Sequence, residues 1–135
     1  MTKTTDTMLL ENAVTASKNA YAPYSHFLVG AAVLGGNGKV YTGCNVENAS
    51  YGLTNCAERT AIFSMVADGC SCLSALAIYS PNKAPVYPCG ACRQVMLEFC
   101  QNENTPIYLY GKDSEIIKTT IGEVLPFAFD KTALK

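Results

Sequence analysis

Long apolar runs are missing from this sequence, and so is the pattern of an export signal. No stretch approaches the roughly 20 apolar residues that a membrane-spanning helix requires. The amino-terminal segment, MTKTTDTMLLENAVTASKNAY, carries acidic and polar residues among its apolar positions, which is unlike a secretory signal peptide. We therefore expect a cytoplasmic protein with no membrane partner.

Basic residues are few and scattered. Lysine and arginine number 10 against 11 acidic residues, the formal net charge is -1, and no block of basic residues occurs. Proteins that follow a polynucleotide normally present a basic face. The charge pattern therefore predicts a small-molecule substrate and no nucleic-acid partner.

Histidine occurs once, whereas cysteine is abundant. Seven cysteines are an odd count in a chain without an export signal, so reduced thiols or metal ligands are a better interpretation than a disulfide framework. Four of them are predicted to be small buried hydrophobic residues: Cys44, Cys70, Cys72 and Cys100. The single histidine, His26, is predicted to be a solvated loop residue.

Helical and extended patterns alternate along the 135 residues without repeats or linkers. Apolar groups have helical spacing over residues 6–20, and Asn37-Gly38 between LVGAAVL and KVYTGCNV predicts a β-hairpin. The later segments are predicted in order as a helix over 56–68, a strand over 73–80, a helix over 90–100, a strand over 106–111 and a turn or helix over 114–125. This alternation predicts one layered α/β domain over residues 1–135, with an antiparallel hairpin followed by parallel crossovers.

Three cysteines have the spacing of a metal site. Cys89 and Cys92 form a C-x-x-C pair, so they can point the same way from the first turn of the predicted helix. Cys56 likewise begins its own predicted helix. The partial positive charge and free N–H groups of a helix start lower the pKa of a thiol and favour the thiolate, which is the form that binds metal. Together the three cysteines predict a tetrahedral site for one zinc ion with one position left open.

Glu58 and Arg59 indicate what an open zinc position would be used for. Glu58 is two residues from Cys56, which is poorly placed for chelating the same ion but close enough to reach a water molecule beside it. Arg59 is three residues from Cys56 and places a cation next to the sulfurs, where it offsets the negative charge of three thiolates. The alternative is a purely structural zinc closed by a fourth cysteine, which would leave Glu58 without a purpose.

The segments NVENASYGLTNCAERTA and PCGACRQV closely resemble the small homotetrameric cytidine deaminases, the three-cysteine zinc branch of the cytidine and deoxycytidylate deaminase family. The likeness extends from YAPYSHFLVGAAV to VLPFAF and implies a three-layer α/β/α sandwich around a mixed five-stranded sheet. Three positions depart from the family pattern: His26 and Leu28 stand where many relatives have Lys and Pro, and Phe127 replaces a common Gly.

The resemblance implies the zinc-dependent hydrolytic deamination of cytidine and 2′-deoxycytidine in pyrimidine salvage, with Glu58 carrying a proton to the departing amine. It further implies a homotetramer with shared active sites, in which Phe129 covers the pyrimidine bound by the adjacent subunit. Arg59 and Gln94 are implied to support the site without binding the metal. The implied substrate contacts are Phe27, Asn45, Glu47, Ala49, Tyr51, Ala57 and Phe129.

Two other functions stay open on the sequence alone. A deaminase of another aminated base or nucleoside analogue would use the same core residues, although a carboxylate at Glu47 near the sugar argues against nucleotides. A structural or binding module that depends on zinc is the other class. For Asn45 and Asn48 the alternative to substrate binding is turn chemistry after a strand.

Overall fold

The computed structural model describes residues 4–134, which form a five-stranded sheet covered by helices on both faces. The helices are α1 (Thr5–Ser17), α2 (Ala57–Ala67), α3 (Gly90–Phe99) and α4 (Ile121–Val124), with 3-10 turns at Tyr51–Leu53 and Lys131–Leu134. The strands are β1 (Gly30–Gly35), β2 (Val40–Cys44), β3 (Leu73–Tyr79), β4 (Pro106–Tyr110) and β5 (Ile116–Thr120). Within the described range, no helix combines the length and apolar character needed to cross a membrane.

The strand order is β2-β1-β3-β4-β5, and only the β3–β4 pair is parallel. The predicted hairpin is confirmed, with Gly38 at a φ of 84° in the turn and the Gly35 N–H donating to the carbonyl of Lys39. Strands β2 and β3 both run antiparallel to β1, so α2 connects two strands of the same direction, as α3 does between β3 and β4. The predicted combination of a hairpin with parallel crossovers is therefore confirmed.

Alternation along the strands divides the core into two layers. On one face Val33, Leu76 and Ile107 pack with residues of α2 and α3. On the other face small residues such as Ala32 and Ala77 allow α1 to approach closely with its buried leucines. Because successive side chains of a strand point to opposite faces, both layers are filled from the same strands. The mixed sheet of the predicted α/β/α sandwich is thus confirmed.

Gly43 determines how closely α2 lies against the sheet. A Cβ atom at this position would lie 2.5 Å from the nitrogen of Ala61 and 2.6 Å from the carbonyl oxygen of Ala57. Both are backbone atoms of α2, so the helix would have to move to accommodate any side chain. The close approach fixes the start of α2, from which Cys56 and Glu58 project.

The prediction of a turn or helix over 114–125 was wrong for its first half. Residues Ile116–Thr120 form β5, which pairs antiparallel with β4, and only Ile121–Val124 is helical. The strand sequence, IIKTT, is dominated by β-branched residues, which fit a half-buried edge strand better than a helix. The first helix was also predicted too long, because α1 ends at Ser17 and residues 18–20 form a turn.

Candidate metal centre

Three sulfur atoms meet where α2 and α3 begin. Cys56 and Cys89 are the N-terminal capping residues of these helices, and Cys92 lies in the first turn of α3. The Sγ atom of Cys89 lies 3.8 Å from that of Cys56 and 3.3 Å from that of Cys92, and all three sulfurs lie within 4.8 Å of one another. Tetrahedral bonds of about 2.3 Å to zinc place two sulfurs about 3.8 Å apart. The cluster therefore has the spacing of zinc ligands, and no fourth described His, Cys, Asp or Glu joins it.

The surroundings of the cluster favour a thiolate at Cys56. Hydrogen bonds from Cys92 and from the Arg59 guanidinium, whose Nη2 lies 3.3 Å from the Cys56 sulfur, lower the pKa of Cys56 to about 5. The hydrogen bond to Cys56 and burial raise the pKa of Cys92. Cys56 is thus a thiolate at neutral pH even without a metal. Zinc binding to all three sulfurs would release the protons of the other thiols, because the thiolate is the form that binds metal. The donor set fits zinc in chemistry as well as in spacing.

Glu58 lies in the first turn of α2 and is only 4% exposed. Burial raises the pKa of its carboxyl to about 7, and the nearby Cys56 thiolate acts in the same direction. Glu58 does not belong to the group of clustered ligand atoms. A buried carboxyl beside a metal site that can hold and release a proton near neutral pH has the properties of a general acid and base.

Arg59 places a cation against the sulfur of Cys56. Besides the bond from its Nη2 to Cys56, its Nε is buried and has no hydrogen-bond partner in the described part of the chain. We predict that Arg59→Gln lowers the apparent zinc affinity about 10- to 100-fold, because protons then compete more effectively for the thiolates. Competition with a chromophoric chelator at neutral pH measures this affinity. An unchanged affinity in a folded variant would show that Arg59 only packs beside the cluster.

Asn45 is buried, and its amide joins two parts of the chain. Its Oδ1 accepts from the N–H of Val29 at 2.9 Å, and its Nδ2 donates to the carbonyl of Phe27 at 2.8 Å. One amide hydrogen and one lone pair remain for another partner. These are long-range bonds rather than turn chemistry. Asn48 differs, since its side chain accepts locally from the N–H of Ser50 at 2.9 Å, as a turn residue does.

Glu47 lies at a cleft that Tyr51 also lines. Its carboxylate accepts from the backbone N–H groups of Tyr24 and Ser25 and from the Ser25 hydroxyl. These bonds lower the pKa of Glu47, and the bond from the Ser25 hydroxyl contributes most. The cleft has a volume of about 330 Å³ and is completed by Thr54. The structure therefore brings Glu47 and Tyr51 together, and it keeps Glu47 ionised.

Phe129 lies on a different surface. Its side chain is 64% exposed and lines a groove along α3 that shares no residue with the Glu47 cleft. Its carbonyl accepts a hydrogen bond of 2.8 Å from Nε2 of Gln94. Ala49 is exposed, whereas Ala57 is fully buried at the start of α2. Within a single chain, Phe129 therefore does not line the cleft that Glu47 and Tyr51 share.

The remaining cysteines and the histidine are outside the cluster. Cys70 is buried as predicted, but Cys44, Cys72 and Cys100 are only half-buried, and all are free thiols. His26 is exposed, with a φ of 59°, which confirms the prediction of a solvated loop residue.

Sequence reasoning did not single out Arg93. Its guanidinium bonds the carbonyls of Pro88 and Val124. The feature of the sequence that could have identified Arg93 is its position one helical turn after Cys89.

Comparison with known proteins agrees with this geometry. The model of the cytidine and deoxycytidylate deaminase zinc-binding region matches residues 3–107. The cytidine deaminase of Sporosarcina psychrophila is 49% identical over 126 residues, which cover 93% of this chain and 92% of the relative. That of Halalkalibacterium halodurans is 51% identical over 122 residues, covering 90% and 92%. The crystal structure of cytidine deaminase from Burkholderia pseudomallei superimposes with a TM-score of 0.86 at 48% identity, covering 93% of this chain and all of that one (100%). The chain therefore belongs to the cytidine and deoxycytidylate deaminase family, and the matched region contains all three clustered cysteines.

Proposed function

We propose that the chain catalyses the hydrolytic deamination of cytidine and 2′-deoxycytidine to uridine and 2′-deoxyuridine with release of ammonia. One observation carries the proposal: a buried carboxyl, Glu58, stands beside three thiols at two helix starts. A structural zinc site needs no such carboxyl. Membership of the deaminase family and relatives named cytidine deaminases at about half identity support the same conclusion.

Cys56, Cys89 and Cys92 would hold one zinc ion per chain. When bound there, zinc supplies a Lewis acid that makes water a nucleophile at neutral pH. Three protein ligands would be the number typical of a catalytic zinc site, whereas a closed structural site has four. The dipoles of α2 and α3 and the guanidinium of Arg59 offset the charge of the thiolates, so the site can still favour ionisation of water.

Glu58 would move the protons. In the net reaction the oxygen of water adds to C4 of the pyrimidine, the bond from C4 to the exocyclic nitrogen breaks, and ammonia leaves. Glu58 donates a proton to N3 of the ring, takes the two protons of the attacking water in turn, passes one of them to the departing amine and keeps the other, so that it ends in its starting state. Its raised pKa lets one carboxyl serve as acid and base in turn.

The sugar would be held by Asn45 and Glu47. The Asn45 amide keeps a hydrogen and a lone pair beyond its bonds to the Phe27 and Val29 backbone, and it thereby also positions Phe27 to pack on the nucleoside. The ionised Glu47 can accept from a ribose hydroxyl and would repel a phosphate at that position. Ala57, at the start of α2, would present its backbone to the base edge.

A homotetramer would complete the sites. Several large apolar side chains are exposed on the single chain: Tyr51, Leu53, Phe63, Val66, Phe127, Phe129 and Leu134. Closed homo-oligomers bury such surfaces against copies of themselves. In this arrangement Phe129 of one chain covers the pyrimidine in the neighbouring site, with Ala49 and Tyr51 near the same boundary.

The seven free thiols are compatible with a reducing compartment, and we place the enzyme in the cytoplasm, in pyrimidine salvage.

The substrate assignment is tested by a panel. The purified protein is incubated separately with cytidine, 2′-deoxycytidine, cytosine, dCMP and adenosine, and the deaminated products are separated by chromatography. We expect the two cytidine nucleosides to be converted with the highest kcat/KM. A higher value for cytosine, dCMP or adenosine would overturn the assignment and favour a deaminase of another aminated base.

The shared site predicts complementation between two inactive variants. Glu58→Gln and Phe129→Ala chains are dissociated, mixed and reassembled. If Phe129 serves the neighbouring site, random assortment gives about a quarter of the sites both an intact Glu58 and an intact Phe129, so activity returns. Native mass spectrometry verifies mixed tetramers. Mixed tetramers without recovered activity, from variants that are each inactive alone, would place Phe129 in its own chain's site.

A further inference from the structure

Arg93 makes two bonds that join the metal centre to the carboxyl-terminal part of the chain. Its Nε donates to the carbonyl of Pro88 and its Nη1 to the carbonyl of Val124, each at 2.7 Å. The chain contains eight lysines but only two arginines, and both arginines lie in the first turns of the helices that begin at the cysteine cluster. Arginine at this position therefore points to a need for the planar guanidinium rather than for charge alone.

The first bond acts on the backbone that carries Cys89. Pro88 is buried and directly precedes Cys89, and its carbonyl belongs to the peptide group that ends at the Cys89 nitrogen. Cys89 precedes the first helical residue of α3, where the backbone lacks part of the hydrogen bonding that holds a helix interior. Holding the Pro88 carbonyl therefore fixes the direction in which the Cys89 sulfur leaves the chain.

The second bond acts on the segment that carries Phe129. Val124 is the last residue of α4, so its carbonyl has no partner within that helix and Arg93 satisfies it. The next residue of α3, Gln94, donates to the carbonyl of Phe129 at 2.8 Å. Adjacent residues of α3 thus hold the segment 124–129 at both of its ends.

We propose that Arg93 is a positioning residue that couples the metal centre to the segment 124–129. Through one side chain, α3 orients the sulfur of Cys89 and anchors the segment that presents Phe129. The part concerning Phe129 rests on the proposed function, whereas the part concerning Cys89 requires only that the cluster binds zinc. A lysine ammonium cannot span two carbonyls as the guanidinium does, so Arg93→Lys loses the coupling although it keeps the charge.

The experiment compares Arg93→Lys and Arg93→Gln with Glu98→Gln, which removes an exposed charge from the same helix. The first readout is the transfer of zinc to a chelator, which needs no activity. The second is the split between KM and kcat for cytidine in zinc-loaded protein. We expect both Arg93 variants to lose at least about 10-fold in zinc affinity, as removal of a group that orients a metal ligand does. Their KM should rise more than their kcat falls, and Glu98→Gln should match the wild type in both readouts.

Gln94→Ala separates the two ends of the coupling. It removes only the bond to Phe129, so it should raise KM while the transfer of zinc stays as in the wild type.

Zinc transfer and KM in folded Arg93→Lys equal to those of the wild type would overturn the proposal. Wild-type zinc transfer and KM in Arg93→Lys, together with altered values in Arg93→Gln, would also overturn the proposal, because the charge alone would then suffice. Failure of both variants to fold, judged by circular dichroism, would show a purely structural role. If the wild type binds zinc but does not deaminate cytidine, the proposed function fails while the zinc readout still decides the role of Arg93.

Discussion

Glu58→Gln is expected to lower turnover by ~10²–10⁴-fold or more while the fold and the zinc content stay unchanged. Glutamine has nearly the same size and polarity as the glutamate, so it fits the 4% exposed position at the start of α2. It cannot give up and take back a proton, however, and N3 of the ring and the leaving amine both depend on that transfer. The loss should therefore appear mainly in kcat.

The measurement is steady-state turnover of cytidine together with elemental analysis of zinc. Glu103→Gln, at an exposed carboxylate outside the cysteine cluster, is the control and should behave as the wild type. Near-normal kcat in Glu58→Gln with one zinc per chain would remove Glu58 from the mechanism. Loss of zinc from this variant would instead show that Glu58 is a ligand.

Cys92→Ser is expected to abolish both zinc binding and activity. Cys92 is fully buried with its sulfur 3.3 Å from that of Cys89, and its removal leaves only two sulfurs for the ion. A serine hydroxyl is a poor ligand for zinc, which favours thiolate and imidazole. Zinc content should fall from one ion per chain to near zero, and deamination should fall with it.

Cys70→Ser is the matched control, because Cys70 is also buried but lies outside the cluster. It should retain its zinc, and so should serine variants of Cys44, Cys72 and Cys100. Loss of zinc from any of these four variants would revive the closed structural site with a fourth cysteine. Full zinc occupancy in Cys92→Ser would contradict the three-cysteine site directly.

The metal centre could be predicted from the sequence because its geometry is local. Cys56 and Cys89 are N-cap residues, and the nearly fixed geometry of a cap and the first turn after it sets Cys89 relative to Cys92 and Cys56 relative to Glu58. The sulfurs of the two helices lie together as expected, 3.8 Å apart between Cys56 and Cys89. The roles of these residues in binding and catalysis stay predictions for the experiments above.

The position of Phe129 could not be predicted from periodicity, because no regular element carries it. In the structure it follows α4 in an irregular segment held by Gln94, on a surface apart from the Glu47 cleft. The partners of such a segment are long-range contacts, which the local sequence pattern does not specify. Strand β5 was missed for a related reason, since pairing with β4 decides its conformation and local pattern alone does not.

Phe127 shows a sequence departure with a physical consequence. The family resemblance implies glycine at this position in many relatives, and the structure gives Phe127 a φ of 53°, in the left-handed region that favours glycine. A side chain there costs about 1–2 kcal/mol. The backbone has therefore kept the conformation expected for glycine, and the phenylalanine side chain is fully exposed at 106%.

The central claim, that the cysteine cluster and Glu58 make a zinc-dependent cytidine deaminase, is tested most directly by one measurement. Cytidine is incubated with the purified protein as isolated, after zinc removal by a chelator, and after return of zinc or, separately, of magnesium. Uridine and ammonia are quantified in each sample. We predict equal amounts of the two products from the zinc-loaded protein, none after removal, and recovery with zinc but not with magnesium. Absence of uridine from fully zinc-loaded protein, or undiminished uridine formation from zinc-free protein, would contradict the account.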